Sequence, residues 1–271
     1  MIIAFLPLSC NKMMKTESND YEKKEIKVSI NKTIETFMIL RSLSNNDPLF
    51  KYRKADYKGK PLMYSAREYF KDFKNDIAVE KTQELLEETS GTGDVLLQGL
   101  LYANELPDEN LKYELKSYWK NKKPELVEYL KVLKDFYIRA NVEGFLTKSK
   151  TFYEGAIAET KLYLNKKVIP TMENYFGKTN AEYNMILIPN SPFGMGFGAD
   201  VGDEKNKILY KIISPANDNN WQKNISDYKE FGYSGEDAKE YYRDLVVHEF
   251  CHSFITPIIE QEKYKAKINQ S

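Results

Sequence analysis

The only two histidines of this 271-residue chain stand four positions apart, and a glutamate follows the first of them. Residues 248–252 read HEFCH, which fits the pattern HExxH. On an α-helix, side chains four positions apart lie on one face about one turn from each other, so His248 and His252 could bind one tetrahedral Zn²⁺. Glu249, beside the first ligand, could then take the proton of a metal-bound water.

An accidental pair of histidines on an exposed, charged helix is the alternative interpretation. The flanks argue against it, because a surface helix would not be so apolar, and polar groups set into a largely buried helix need partners, which a metal supplies. Cys251 points about 100° away from its neighbour His252 around a helix. We therefore expect Cys251 to be a small buried side chain and not a ligand. The apolar residues in and around the motif are Leu245, Val246, Val247, Phe250, Cys251, Phe254 and Ile255.

Composition limits the classes of protein that could carry this motif. Hydrophobic residues make up 42% of the chain, enough to fill a core. Forty basic and forty acidic side chains cancel, which removes the positive field expected of a nucleic-acid-binding protein. We expect no nucleic-acid partner, and no structural disulfide from two cysteines.

The first 176 residues predict a mainly helical portion. Alternation at residues 26–30 favours a short strand, and a helix is expected from Thr33 to Leu43. A capping box at residues 65–68 predicts the start of a long helix that runs toward Thr89. Further helices are predicted at 95–104, from Pro107 and Asp108 onward, and from a first turn that contains Pro124. The last is predicted over 150–167, with a continuation, bent at Pro170, to Phe176.

The predicted secondary structure changes from helices to strands after Gly177. Apolar strands are predicted at 183–188 and 207–213, and the glycine-rich residues 191–198 between them are interpreted as a loop, since no phosphate-binding Lys-Ser/Thr follows. This loop or the strand after it could border a cleft in which a peptide adds as an extra strand. A helix over about 236–256, ended by Pro257, would carry the motif. The predicted fold class is α+β: a helical N-terminal portion, a small sheet, then the motif helix.

The N-terminus resembles the tail of a bacterial lipoprotein signal peptide. An apolar run from Ile2 to Leu8 ends in Ser9-Cys10, and it is too short to span a bilayer. This resemblance implies a lipid on Cys10, attachment to a membrane of the bacterial cell envelope, and a tether to about residue 24. No Lys or Arg precedes the run, so either the true start lies upstream or the likeness is accidental. The folded domain is expected over 25–271, with its helical part at about 32–176 and the sheet and motif helix at about 181–257.

The motif and its setting resemble zincin-type metallopeptidases. Residues 246–257 in particular resemble a little-characterised family of bacterial lipoproteins with a domain of unknown function, and the likeness extends loosely over about 25–257. The resemblance implies zinc held by His248 and His252, Glu249 as general base, and peptides or proteins as substrates.

The third zinc ligand is where the sequence departs from these families. A catalytic zinc normally has three protein ligands and a water. Ile255 and Ile258 occupy the positions at which the astacin-like branch has glycine and histidine, and only 19 residues follow His252 for a thermolysin-like glutamate on a later helix. Glu260 is a local candidate, although on a straight helix it would lie about 12 Å along the axis from His252. The expectation is that the C-terminal part of the domain is missing. The alternative function is a catalytically inactive, zincin-like lipoprotein that acts as a binding protein.

Overall fold

A computed structural model shows that the helices and most of the strands occupy different parts of the chain. It describes residues 24–44, 61–89, 91–164, 167–177, 180–191, 196–203, 205–215, 229, 231–233, 247, 248, 250 and 251. Alternating and β-branched apolar segments form the strands, and segments with a helical apolar stripe form the helices. The predicted α+β class is confirmed, with a small mixed sheet and a larger helical part.

The sheet has four strands in the spatial order β1-β2-β4-β3. The strands are β1 (Lys27–Ser29), β2 (Glu182–Leu187), β3 (Gly196–Val201) and β4 (Ile208–Ile213). Strands β1, β2 and β4 run parallel, while β3 runs antiparallel to β4. Across the sheet, Val28 lies opposite Met185, Met185 opposite Lys211, and Lys211 opposite Gly198.

Besides the short described part of the motif helix, nine α-helices lie within the described ranges, and all nine fall between β1 and β2 in the sequence. They are α1 (Lys32–Leu43), α2 (Pro61–Tyr69), α3 (Ile77–Glu88), α4 (Asp94–Leu101), α5 (Ser117–Asn121), α6 (Lys123–Arg139), α7 (Val142–Lys148), α8 (Lys150–Tyr163) and α9 (Val168–Phe176). The helical part is therefore an insertion between two neighbouring parallel strands, which cannot be joined by a short turn. None of the helices in these ranges is long and apolar enough to cross a membrane.

Helix α1 is the centre of the helical part, since every residue from Thr33 to Leu43 is buried. Its apolar side chains share the main core with those of β2 and β4 that point to the same side of the sheet, such as Ile186 and Ile212. The opposite side of the sheet packs in a second core against α8 and α9 through residues such as Ala156 and Met172. Both faces are covered, which is usual for parallel strands and explains why β2 and β4 are so apolar.

The capping box at residues 65–68 does not mark the start of a helix. Helix α2 begins at Pro61 and passes through residues 65–68, because burial of Leu62, Met63 and Ala66 requires a helical stripe that starts earlier. The next helix, α3, begins where the Asp76 carboxylate accepts the Ala78 N–H at 2.9 Å.

Two further helix predictions were wrong. Residues 104–116 form turns, and the Asp108 carboxylate accepts the Asn110 N–H at 2.9 Å instead of starting a helix. The predicted bent helix from Lys150 is two helices, α8 and α9. Pro170 causes no bend, because it lies in the first turn of α9, where the missing N–H is not required.

Candidate metal centre

The described part of the motif is helical and has two sides. Val247, His248, Phe250 and Cys251 have helical backbone. His248 is exposed, whereas Phe250 is fully buried and meets the Tyr183 ring edge to face, with the centroids 5.1 Å apart. Positions two apart on a helix point about 200° from each other, so burying Phe250 turns His248 outward. The free thiol of Cys251 is half-buried against the second core, more exposed than the small core side chain we expected, and burial raises its pKa.

The Tyr183 side chain that Phe250 contacts is held in place by a hydrogen bond of its hydroxyl group. The Tyr183 hydroxyl donates to Glu173 Oε1 of α9 at 3.2 Å, and Lys24 Nζ donates to the same oxygen at 2.8 Å. Burial raises the pKa of Tyr183, and the nearby Glu173 carboxylate raises it further. The phenol therefore stays neutral, and Phe250 packs on a tyrosine of β2 that is itself hydrogen-bonded to α9.

A short segment before the motif, Phe231-Gly232-Tyr233, is anchored on α8. The Glu159 carboxylate accepts the backbone N–H of Phe231 at 3.1 Å and that of Tyr233 at 2.8 Å. Gly155 makes room for the Phe231 ring, because a Cβ built at Gly155 would lie 2.1 Å from ring atom Cζ. A glycine inside a helix costs roughly 1 kcal/mol relative to alanine, and the close approach of the ring explains why it is present. Sequence reasoning missed this anchor, although a glycine in the interior of a predicted helix was a usable sign.

Strand β3 is the terminal strand of the sheet within the described residues. The glycine-rich segment 191–198 was interpreted as a loop, but its last three residues are the start of this strand. Its residues Gly196 and Gly198 lie opposite Ile213 and Lys211 of β4. Cross-strand partners share a face of a sheet, and Ile213 belongs to the same core as Phe250. On the side of the sheet that carries the motif helix, β3 therefore has no side chains at these two positions.

The remaining predicted site residues, Glu249, His252, Glu260 and Cys10, lie outside the described residues. Of the groups predicted to bind zinc or to act as the general base, only the imidazole of His248 is described. No group of three or more His, Cys, Asp or Glu side chains suited to a metal ion occurs among the positions that the structure describes.

Comparison with known families gives one result. The family model for a domain of unknown function, DUF4932, matches residues 26–270. The chain belongs to the DUF4932 family. Neither the curated proteins nor the solved structures include a match to it. Family membership covers nearly the whole chain and carries no assigned activity.

This DUF4932 domain also buries a polar cluster that the motif search did not find. Glu35 of α1 is fully buried, and its Oε2 accepts hydrogen bonds from the Tyr153 hydroxyl of α8, at 2.9 Å, and from the Asn190 amide nitrogen. Asn190 is also fully buried and follows β2. Burial raises the pKa of Glu35 to about 7, against the lowering effect of the hydrogen bonds from Asn190 and Tyr153. The sequence sign was an acid at position 35, just before the apolar run Phe37-Met38-Ile39-Leu40 of the same helix.

Proposed function

We propose that this chain is a zinc-dependent peptidase domain that hydrolyses peptide bonds in peptides or proteins. His248 and His252 are the proposed zinc ligands and Glu249 the general base. The observation that carries the proposal is the orientation of the motif helix. Phe250 is packed in the core while His248, two positions away, faces outward.

The donor chemistry of the described part of the motif fits a zinc site. A neutral imidazole is a preferred zinc ligand, and an exposed one can be reached by both the ion and a substrate. The HExxH spacing would place the second imidazole one turn along from His248 on a continuing helix. Glu260 is the proposed third ligand.

Zinc bound there would supply a Lewis acid that makes water acidic enough to be deprotonated near neutral pH. The protein's own contribution to the chemistry is then the carboxylate of Glu249. It takes a proton from the attacking water and gives it to the leaving amine.

Strand β3 supports a peptide as the substrate. Among the described residues β3 is the terminal strand, with an edge of backbone N–H and C=O groups that an extended peptide can pair with. The absence of side chains at Gly196 and Gly198 leaves space on the side of the sheet where the motif helix packs. A peptide paired with the edge of β3 could therefore reach the motif across the face of the sheet on which Phe250 packs.

Zinc content tests the metal-binding half of the proposal. Protein purified without chelator is expected to carry about one zinc per chain by elemental mass spectrometry, and His248→Ala and His252→Ala are expected to lose it. Cys251→Ser is the matched control within the motif and is expected to retain zinc. Zinc below about a tenth per chain in the unaltered protein would refute the proposal.

Hydrolysis of an unstructured protein such as casein tests the catalytic half. Glu249→Gln is expected to keep zinc and to lose about 10²–10⁴-fold in rate, the usual contribution of a general base. Full activity in the Glu249→Gln variant would show that Glu249 is not the general base. Zinc binding without any hydrolysis by the unaltered protein would instead support the alternative of a non-catalytic binding protein. Loss of zinc in Glu260→Gln would identify the third ligand.

Attachment to the bacterial cell envelope through a lipid on Cys10 is part of the same proposal. Its support is the apolar run that ends at Ser9-Cys10. Mass spectrometry of protein recovered from membranes, expressed with a complete signal peptide, is expected to show an acylated Cys10. An unmodified cysteine in that fraction would contradict this part alone.

A further inference from the structure

The hydrogen bonds of the Glu35 carboxyl group are distributed unequally between its two oxygens. Oε2 accepts from both the Tyr153 hydroxyl and the Asn190 amide nitrogen. Oε1 has no hydrogen-bond partner among the described residues, and the same is true of Asn190 Oδ1. Each of the two groups that share this hydrogen bond therefore also has a buried oxygen without a partner among the described residues. Leaving such atoms unpaired costs free energy, so a native structure normally provides a donor.

A single hydrogen atom on Oε1 supplies that donor. Both unpartnered atoms are acceptors when the carboxyl group is ionised, and they cannot bond to each other. When the carboxyl group is protonated, its O–H can donate to Asn190 Oδ1 while its Oε2 continues to accept from the amide nitrogen. An acid and an amide joined in this way form a closed ring with two hydrogen bonds, and all four polar atoms are satisfied.

We propose that Glu35 is a neutral carboxylic acid in the folded protein, closed in a two-bond ring with Asn190, and that this proton locks the helical part onto the sheet. The ring joins α1 to the residue that follows β2, and Tyr153 adds α8 to the same point. Three elements that are distant in sequence are thereby fastened through one titratable group.

The surroundings of Glu35 fit a neutral acid. The titratable group that faces it is Tyr153 of α8, with Tyr233 behind it interacting with Tyr153. Among the described residues the shift in the Glu35 pKa arises from burial and from the hydrogen bonds of Asn190 and Tyr153, with no ion pair contributing. A carboxylate in such a place would be a buried charge that no cation among the described residues compensates, which is strongly unfavourable.

The lock has a defined dependence on pH. Because the folded-state pKa of Glu35 is raised from 4.5 to about 7, the folded protein holds this proton more tightly than the unfolded chain does. The stabilisation is complete below pH 4.5 and is lost as the pH rises toward about 7. Above that value the ionised group no longer donates to Asn190, and the junction of α1, α8 and β2 is weakened.

Urea unfolding of the full chain between pH 5 and pH 8 tests the lock against the variant Glu35→Gln. Glutamine has the shape of the neutral acid, and its amide can make the same ring without titrating. We expect the unfolding constant of the unaltered protein to rise over this range by on the order of 100-fold relative to that of the variant. Glu154→Gln, an exposed position on α8, is the matched control and should follow the unaltered protein. Equal pH dependence in the unaltered protein and Glu35→Gln would overturn the proposal.

Infrared spectroscopy reads the protonation state directly, including the case in which Glu35→Gln does not fold. At pH 6, ordinary carboxyl groups are ionised, so the carbonyl band of a neutral acid in the unaltered protein is the expected signal. The band should shift or disappear in Asn190→Ser, which removes the amide partner. A spectrum without this band at pH 6 would mean that Glu35 is ionised and that a water molecule or a cation satisfies the two oxygens, which refutes the proposal.

Discussion

Glu35 and His248 are both polar residues set into apolar helices, and the protein places them in opposite ways. Glu35 is fully enclosed between α1, α8 and the end of β2. His248 stands exposed on a helix that is held from its other side by Phe250. An enclosed polar group must find its partners within the chain, whereas an exposed one can bind something that arrives from solution. Burial thus fits a structural role for Glu35 and the ligand-binding role proposed for His248.

Phe250→Ala gives the largest expected effect, because it removes the buried side of the motif helix. Loss of a fully buried phenylalanine costs about 3–5 kcal/mol in the free energy of unfolding, measured by urea denaturation. Leu162→Ala is a suitable control, since Leu162 is 82% exposed and should change stability by less than about 0.5 kcal/mol. Similar costs for the two variants would mean that Phe250 does not anchor the motif.

Tyr153→Phe tests the hydrogen bonds of the buried Glu35. Removal of a buried donor to Glu35 is expected to cost about 1–3 kcal/mol in the free energy of unfolding. The Tyr153 hydrogen bond lowers the pKa of Glu35, so its loss should raise that pKa. The decline in stability with rising pH should then end at a higher pH than in the unaltered protein. Tyr175→Phe, at a residue 82% exposed, should change neither quantity. A downward shift of the pH range would contradict the proposed contacts.

Gly155→Ala tests the anchor that leads to the motif. An alanine inside a helix normally stabilises it relative to glycine by roughly 1 kcal/mol, but here the new Cβ would collide with the Phe231 ring. We expect a net loss of about 1–2 kcal/mol in thermal or urea unfolding. The double variant Gly155→Ala, Phe231→Leu should recover part of that loss, since the two changes act on one contact. A stabilised Gly155→Ala protein would show that the ring is not packed against α8.

His248→Ala gives the smallest expected effect on the metal-free protein. An exposed side chain away from the core changes the free energy of unfolding by less than about 0.5 kcal/mol. The measurement is urea unfolding with a chelator present, followed by the same experiment with added zinc. Zinc should stabilise the unaltered protein and leave the variant unchanged, because a ligand stabilises only the state that binds it. A large loss without zinc would place His248 in a structural role.

The sequence predicted the elements whose apolar pattern is regular and failed where contacts from distant residues decide the structure. Alternation at 26–30 and the apolar runs near 183 and 208 gave three strands. One long helix toward Thr89 was predicted where the structure has α2 and α3. Asp76, which caps α3, also accepts a hydrogen bond from Arg139 of α6 at 2.9 Å. Local pattern contains no information on such a partner.

The same division holds for the candidate site. The HExxH spacing predicted the zinc ligands from five consecutive residues, and that prediction stays untested by the described residues. The Glu159 anchor and the hydrogen bond between Asn190 and Glu35 join residues that are 72 to 155 positions apart. An acid in an apolar helix and a glycine in a helix interior were visible in the sequence, but only the fold shows what each of them contacts.

The insertion of all nine described helices between β1 and β2 has a consequence for how the chain is made. Lys27 pairs with Asn184, 157 positions later (184 − 27), so β1 leaves the ribosome long before its neighbour exists. At synthesis rates of about 5–20 residues per second, it waits roughly 8–30 s for that partner. Pairings at such long range form slowly, whereas helices form from local contacts. During translation the helical part can therefore assemble first, and the sheet that carries the motif helix is completed only when the C-terminal quarter of the protein has been synthesised.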